Sequence, residues 1–184
     1  MRSVKETTIR CTCGQVEIQL RGTPILTAVC HCDDCQRASS ELEQFPNAPK
    51  ILDQAGGTAY VLYRKDRVRC NTGNTLLKAH RTPGEKSTAR FVAACCNSAM
   101  YLDFEPGHWL SLFRDRFGNF APPIQMRTQT KYAQDPSTIP KDAPQFRSYS
   151  PGFVFRLIGS KLAMTLARNK PRSDKSYADQ SSQT

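Results

Sequence analysis

Val16, Ile18 and Leu20 fall on alternate positions within residues 15–20, the two-residue period of a strand with one buried face. A short apolar run at 25–29 leads directly into Cys30. Beyond it, Cys35, Ala38, Leu42 and Phe45 recur at helical spacing. Asp33 or Asp34 is the expected cap of that helix, and Pro46 and Pro49 end it. Gly56-Gly57 marks a turn before a β-branched and aromatic strand at 58–63. Gly73-Asn74 and Pro83-Gly84 mark two more turns, with strands expected at 75–80, 90–94 and 100–104. About seven short strands are expected between residues 8 and 105, and the fold class they predict is mainly β, built from short antiparallel strands with a C-terminal helix.

The pattern loosens after Glu105. Seven prolines from Pro106 to Pro151 predict long surface loops wrapping the core, within which Trp109, Leu110, Leu112, Phe113, Phe117 and Phe120 are expected to form a short helix that packs back. Residues 153–168 predict a C-terminal helix docked through Val154, Leu157, Ile158, Leu162 and Leu166. The Ser-, Lys- and Gln-rich end from Lys170 predicts disorder. The domain division expected is a β domain over 1–160, with a motif core at 8–105 and a loop-rich extension at 106–160. The end of the helix and a basic tail make up 161–184.

Composition narrows the function classes. At 184 residues, 39% hydrophobic, the chain is long enough to bury a core without staples. No apolar stretch is long enough for a membrane span, and the polar first ten residues lack the apolar region of a secretory signal, so cytoplasm is the expected compartment. The net charge of +10 is uneven: residues 1–50 carry six basic and six acidic side chains, and residues 51–100 carry eight and three. A solvated basic surface accounts for the excess. A nucleic-acid footprint is the alternative it leaves open.

Eight cysteines in a reducing compartment point to metal or redox chemistry rather than a disulfide framework. Cys30, Cys32 and Cys35 form C-x-C-x-x-C; Cys11 and Cys13 form C-x-C followed by Gly14; Cys95 and Cys96 are adjacent. Thiolates at these spacings suit zinc, and two zinc sites are expected: a closed one from Cys11, Cys13, Cys95 and Cys96, and an open one from Cys30, Cys32 and Cys35. Pairs from remote segments would pin the two ends of a small β domain. The fourth position of the triplet is left open at this stage: Cys70, His80 or His108 could close it through folding, or water or a substrate thiolate could fill it. His31 projects away if both its neighbours bind, and Asp33 and Asp34 are better placed as caps. Arg37 pairs with an acidic ligand group or with Glu41 one helical turn on. Iron–sulfur ligation is a further option for cysteine alone, but the spacings differ from the common ferredoxin runs.

Cys11-Thr12-Cys13-Gly14, then Cys30-His31-Cys32-x-x-Cys35-Gln36-Arg37, then Cys95-Cys96-Asn97-Ser98-Ala99-Met100, resembles the superfamily of glutathione-dependent formaldehyde-activating enzymes and centromere protein V. The resemblance covers about residues 8–105 and is similar to an uncharacterised branch. It implies a zinc-pinned β-tent fold, with a structural zinc on the outer cysteines and a catalytic-type zinc on the triplet. It also implies carbon–sulfur lyase-like chemistry on an adduct of glutathione or another thiol. Arg and Lys side chains from residues 61–90 are then expected to attract the thiol's carboxylates. The late motif departs from the usual C-x-x-C-G: Ala93 and Asn97 stand at its first and last positions, and Cys95 is the expected substitute donor. The alternative function is a non-catalytic zinc module contacting nucleic acid or protein through its basic surface; no membrane partner is expected.

Overall fold

The computed structural model describes residues 6–168. The expectations for residues 1–5 and for the tail from Lys170 lie outside the described residues. In chain order the elements are β1 (Glu6–Arg10), β2 (Glu17–Arg21), β3 (Leu26–Cys30), α1 (Asp33–Glu43), β4 (Thr58–Arg64) and β5 (Val68–Thr72). There follow β6 (Leu77–His80), β7 (Thr88–Ala93), β8 (Ser98–Phe104), β9 (Trp109–Phe113), β10 (Met126–Thr128) and α2 (Pro151–Arg168). Short 3-10 turns join several of them. The protein is mainly β, as expected, with a C-terminal helix.

The strands form two sheets. A small one runs β1-β2-β5 and a large one runs β10-β3-β4-β9-β8-β7-β6. All neighbours are antiparallel except β10, which lies parallel to β3 and pairs Thr128 with Cys30. The small sheet packs its alternating Ile9, Ile18 and Leu20 against Val61, Met100, Leu110 and Leu112 of the large sheet. The opposite face of the large sheet holds a second core, where Ala28, Tyr60, Leu62 and Phe113 meet Leu42 of α1 and partly buried Phe153 and Leu157 of α2. Strand β4 therefore faces two cores, with Val61 and Tyr63 on one and Tyr60 and Leu62 on the other.

Two expectations are corrected here. The aromatic segment predicted as a helix among surface loops is strand β9, hydrogen-bonded between β4 and β8. It too is buried on both faces, Leu110 and Leu112 towards the first core and Trp109 and Phe113 towards the second. A strand covered on both sides reads as an unbroken apolar run, which alternation cannot separate from a helix. Phe117 does pack into the first core, whereas Phe120 is exposed. The second correction is the docked face of α2. Val154, Ile158, Leu162 and Leu166 are exposed; Leu157 of the expected stripe does lie on the core, joined by Phe153, and Ser160 is hydrogen-bonded to His108. Among the described residues, no helix is long and apolar enough to cross a membrane.

Close packing just before β4 sets the position of the metal-motif strand. Gly57 lies so near β3 that an added Cβ would sit 2.5 Å from a Val29 methyl and 2.6 Å from the His31 ring. His31 is fully buried, its Nδ1 at 3.3 Å from the Ala55 carbonyl. Gly57→Ala is therefore expected to destabilise the fold by about 1–3 kcal/mol through overpacking, read as a lower denaturation midpoint at unchanged m-value in urea.

Candidate metal centres

The turn after β1 carries Cys11 and Cys13. The Gly14 N–H donates to the Cys11 carbonyl at 3.0 Å, with Gly14 at φ +80°, the left-handed conformation that favours glycine. Cys95 and Cys96 occupy the turn between β7 and β8, where the Cys96 N–H donates to the Ala93 carbonyl at 3.2 Å. These two turns belong to different sheets and meet. Cys11 Sγ lies 3.5 Å from Cys13 Sγ and 3.9 Å from Cys95 Sγ; Cys13 to Cys95 is 3.3 Å and Cys95 to Cys96 is 3.9 Å. All four sulfurs fall within 4.8 Å of one another.

Around this cluster the polar contacts favour thiolate. The Val16 N–H points at Cys11 Sγ at 3.2 Å. Ser98 Oγ is 3.1 Å from Cys96 Sγ and accepts from the Thr12 N–H at 3.1 Å. Burial raises the Cys96 thiol, but the hydrogen bonds of Ser98 and Cys13 outweigh it and bring the group down to about 6. Cys11 and Cys95 are raised, first by burial.

The second cluster is local. Cys30 ends β3, Cys32 stands at the N-cap of α1, and Cys35 lies in its first turn. The cap is thus Cys32 rather than Asp33 or Asp34, which sit inside the helix as its first acidic residues. The unsatisfied N–H groups and dipole of a helix N-terminus favour negative charge on nearby sulfur. The Cys30 thiol donates to Cys32 Sγ at 3.4 Å, and the three sulfurs lie within 4.8 Å of one another. Hydrogen bonds from Cys30 and Cys35 draw Cys32 down to about 3. The same contact pushes Cys30 up to about 12, and bonding to Cys30 and Cys32 also raises Cys35.

Both clusters could hold a metal ion. All eight cysteines are free thiols, so disulfides do not explain the approach of the sulfurs. Zinc–sulfur bonds of about 2.3 Å in a tetrahedron place the sulfurs about 3.8 Å apart, close to the spacings of 3.3–3.9 Å found here. The donor set therefore fits zinc.

No other cysteine, histidine or carboxylate among the described residues joins the triplet. The side chains considered for its fourth position are engaged elsewhere. Cys70 is on β5 and its thiol donates to the Thr72 carbonyl. His80 bonds Glu41 at 3.0 Å and His108 bonds Ser160. Arg37 pairs with Asp34 at 3.0 Å rather than with Glu41. The triplet instead borders a cavity of about 400 Å³ lined by Cys30, Cys32 and Cys35 together with Tyr60, Trp109 and Tyr149. The Tyr60 hydroxyl points at Cys35 Sγ at 3.9 Å.

Arg90 is the cation that reaches this cavity from the basic stretch 61–90. It is nearly fully buried and paired with Glu85, and it donates to the Asp34 carbonyl at 3.3 Å. Several other cations of that stretch are held away: Arg64 pairs with Asp66, Lys65 with Asp103, and Arg81 donates to the Lys86 and Thr88 carbonyls. Sequence reasoning did not find Tyr60, Tyr149, Trp109 or Glu85 as cavity residues. Tyr60 shares a strand with core side chains, and no local signal marks which face it takes.

Residues 6–49 match the family model of the glutathione-dependent formaldehyde-activating enzyme. That match supports the assignment of this part of the chain to the superfamily that the cysteine motifs resemble. No curated protein matches the chain. A crystal structure of a Rhodobacter sphaeroides protein is similar at 14% identity and a TM-score of 0.46, over 63% of this chain and 92% of that chain.

Mutual hydrogen bonding and burial raise Cys30 and Cys35, while its neighbours' hydrogen bonds lower Cys32, so metal uptake by the triplet is expected to displace protons from the first two. We expect about two protons released per ion at this cluster, and affinity that falls as pH drops from roughly 8 to 6. Calorimetric titration of the metal-free protein in buffers of different ionisation enthalpy measures the count.

Proposed function

We propose that the chain is a zinc-dependent enzyme of carbon–sulfur bond chemistry, acting on a thiol adduct of the kind the matched family's name implies. In this reading Cys11, Cys13, Cys95 and Cys96 hold a structural zinc, and Cys30, Cys32 and Cys35 hold a second zinc open to substrate. The observation that carries it is the triplet's setting: three clustered sulfurs, no fourth cysteine, histidine or carboxylate among the described residues joining them, and a cavity of about 400 Å³ against them. A closed structural site needs four protein ligands, whereas a catalytic one keeps a position for substrate.

A zinc ion held by the triplet supplies the Lewis acidity that keeps a substrate thiol deprotonated at neutral pH. The reaction then balances simply. The substrate sulfur forms a bond to an aldehyde carbon, the carbonyl π bond breaks, and its oxygen takes up the proton the thiol gave up, leaving a hydroxyalkyl thioether. The lyase direction is the reverse. The residues of the chain shape this step. The Tyr60 hydroxyl donates to Cys35 Sγ at 3.9 Å, where both border the cavity. Ser111 and Tyr149 line the same cavity, and a hydroxyl of either turned to the aldehyde oxygen would serve as its donor. Glutathione is the thiol that the family name implies, and a reducing cytoplasm is the compartment such chemistry suits.

Three measurements test the reading. Wild type is expected to bind two zinc ions per chain, Cys32→Ser one, and Cys70→Ser two. In the cobalt-substituted protein, an added thiol is expected to shift the visible absorption bands of one ion and leave the other unchanged. Thioether formation from thiol and aldehyde should fall by more than about a hundredfold in Cys32→Ser, since even outer-sphere changes at metal sites cost up to that much. Unshifted bands on thiol addition would remove the open-site reading.

A further inference from the structure

The lining of the cavity beside the triplet constrains which thiol can enter it. Its walls are mostly carbon: Leu62, Leu102, Phe104, Trp109, Tyr149 and Phe153 face it. The aromatic rings are arranged in pairs, Tyr149 stacked on Phe153 at 4.8 Å and Phe104 tilted on Trp109 at 6.1 Å between centroids. Such walls gain from covering an apolar ligand body and offer offset or edge contacts to an aromatic ring.

Its charges are already spent on one another. Among the described residues that line it, Arg90 is the only cation, and Asp34 and Glu85 are the anions. Glu85 takes both Nη atoms of Arg90, one in a short contact and the other at 3.1 Å. Asp34 is paired with Arg37 at 3.0 Å. Glutathione brings a pair of carboxylates and one ammonium. A carboxylate carried into this cavity would lose its water and meet no free cation, and burying an unpaired charge is strongly unfavourable.

From this we propose that the open site selects a neutral thiol with an apolar or aromatic body and discriminates against glutathione. The inference rests on the open-triplet reading above and narrows its substrate class. Bond making and breaking are as described there, with the sulfur of the neutral thiol in place of that of glutathione.

The chain's single tryptophan, Trp109, lines the cavity and reports its occupancy. The zinc-loaded protein is titrated with phenylmethanethiol and, separately, with glutathione, following Trp109 fluorescence; cobalt-loaded protein is titrated in parallel by absorption. Phenylmethanethiol is expected to saturate at a concentration at least about tenfold below glutathione, given the penalty on unpaired carboxylates. Glu85→Gln releases the Arg90 guanidinium and is expected to narrow that ratio by about tenfold, since a freed arginine pairs well with a carboxylate. Glutathione saturating at an equal or lower concentration than phenylmethanethiol, while both shift the cobalt bands, overturns this inference and leaves the open site standing. Neither thiol shifting the bands overturns both. A folded Glu85→Gln protein with an unchanged ratio overturns the charge argument. Should that variant fail to fold, the wild-type comparison decides alone.

Discussion

Four cysteine sulfurs held within 4.8 Å of one another cannot all be thiolates unless positive charge sits among them, and left as thiols they offer one another only weak hydrogen bonds. The cluster of Cys11, Cys13, Cys95 and Cys96 poses this constraint across a sequence separation of more than eighty residues. It also closes the fold. One pair hangs from the small sheet between β1 and β2, the other from the large sheet between β7 and β8. The core between the sheets is modest, built on Ile9, Ile18 and Leu20 facing Val61, Met100 and Leu112. A metal bound across the rim adds its binding free energy to that of the core, since the site does not exist in the unfolded chain.

The triplet obeys a different logic. Its three sulfurs come from a six-residue span, so no long loop has to close for them to meet. Their positions are set by a strand end and a helix start, two rigid elements whose relation is fixed elsewhere. β3 is flanked by β4 and β10, and the His31 ring is wedged against Gly57. Around it, Arg127 reaches Asp53 and Asp142, each at 2.8 Å, and ties β10 to the loop before β4. The triplet is thus held firmly on one side and faces a cavity on the other.

Much of this was legible in the chain. Cysteine spacing marked both clusters because metal ligation constrains local geometry, and alternation marked β2 because only one of its faces is buried. The failures have separate causes. Trp109–Phe113 has no alternation to read, because both of its faces are covered. The α2 segment is apolar nearly all round, so its pattern did not tell which stripe docks; Phe153 and Leu157 do, and Ile158, Leu162 and Leu166 face solvent. Capping went astray because acidic residues at 33 and 34 mimic a cap, while the helix takes Cys32 there. The cavity was the least legible, since its walls gather side chains from β3, β4, β7, β8, β9, β10 and both helices.

The departures of the late motif make physical sense in the same frame. Ala93 closes β7 fully buried, paired with Ser98 and Leu77, so position 93 packs into the first core. The donor shifts two residues onward to Cys95, in the turn itself, and its sulfur still reaches Cys13 at 3.3 Å. Asn97 stands where the motif usually has glycine, and it adopts φ +51°, a conformation that asparagine tolerates better than most residues. Unlike glycine, it also has a side chain to use: its amide donates to the Pro46 carbonyl at 2.9 Å. Pro46 lies just past the end of α1, the helix that begins at Cys32. One helix thus carries Cys32 and Cys35 at its start and, through the turn that follows its end, a hydrogen bond to the turn that holds Cys95 and Cys96.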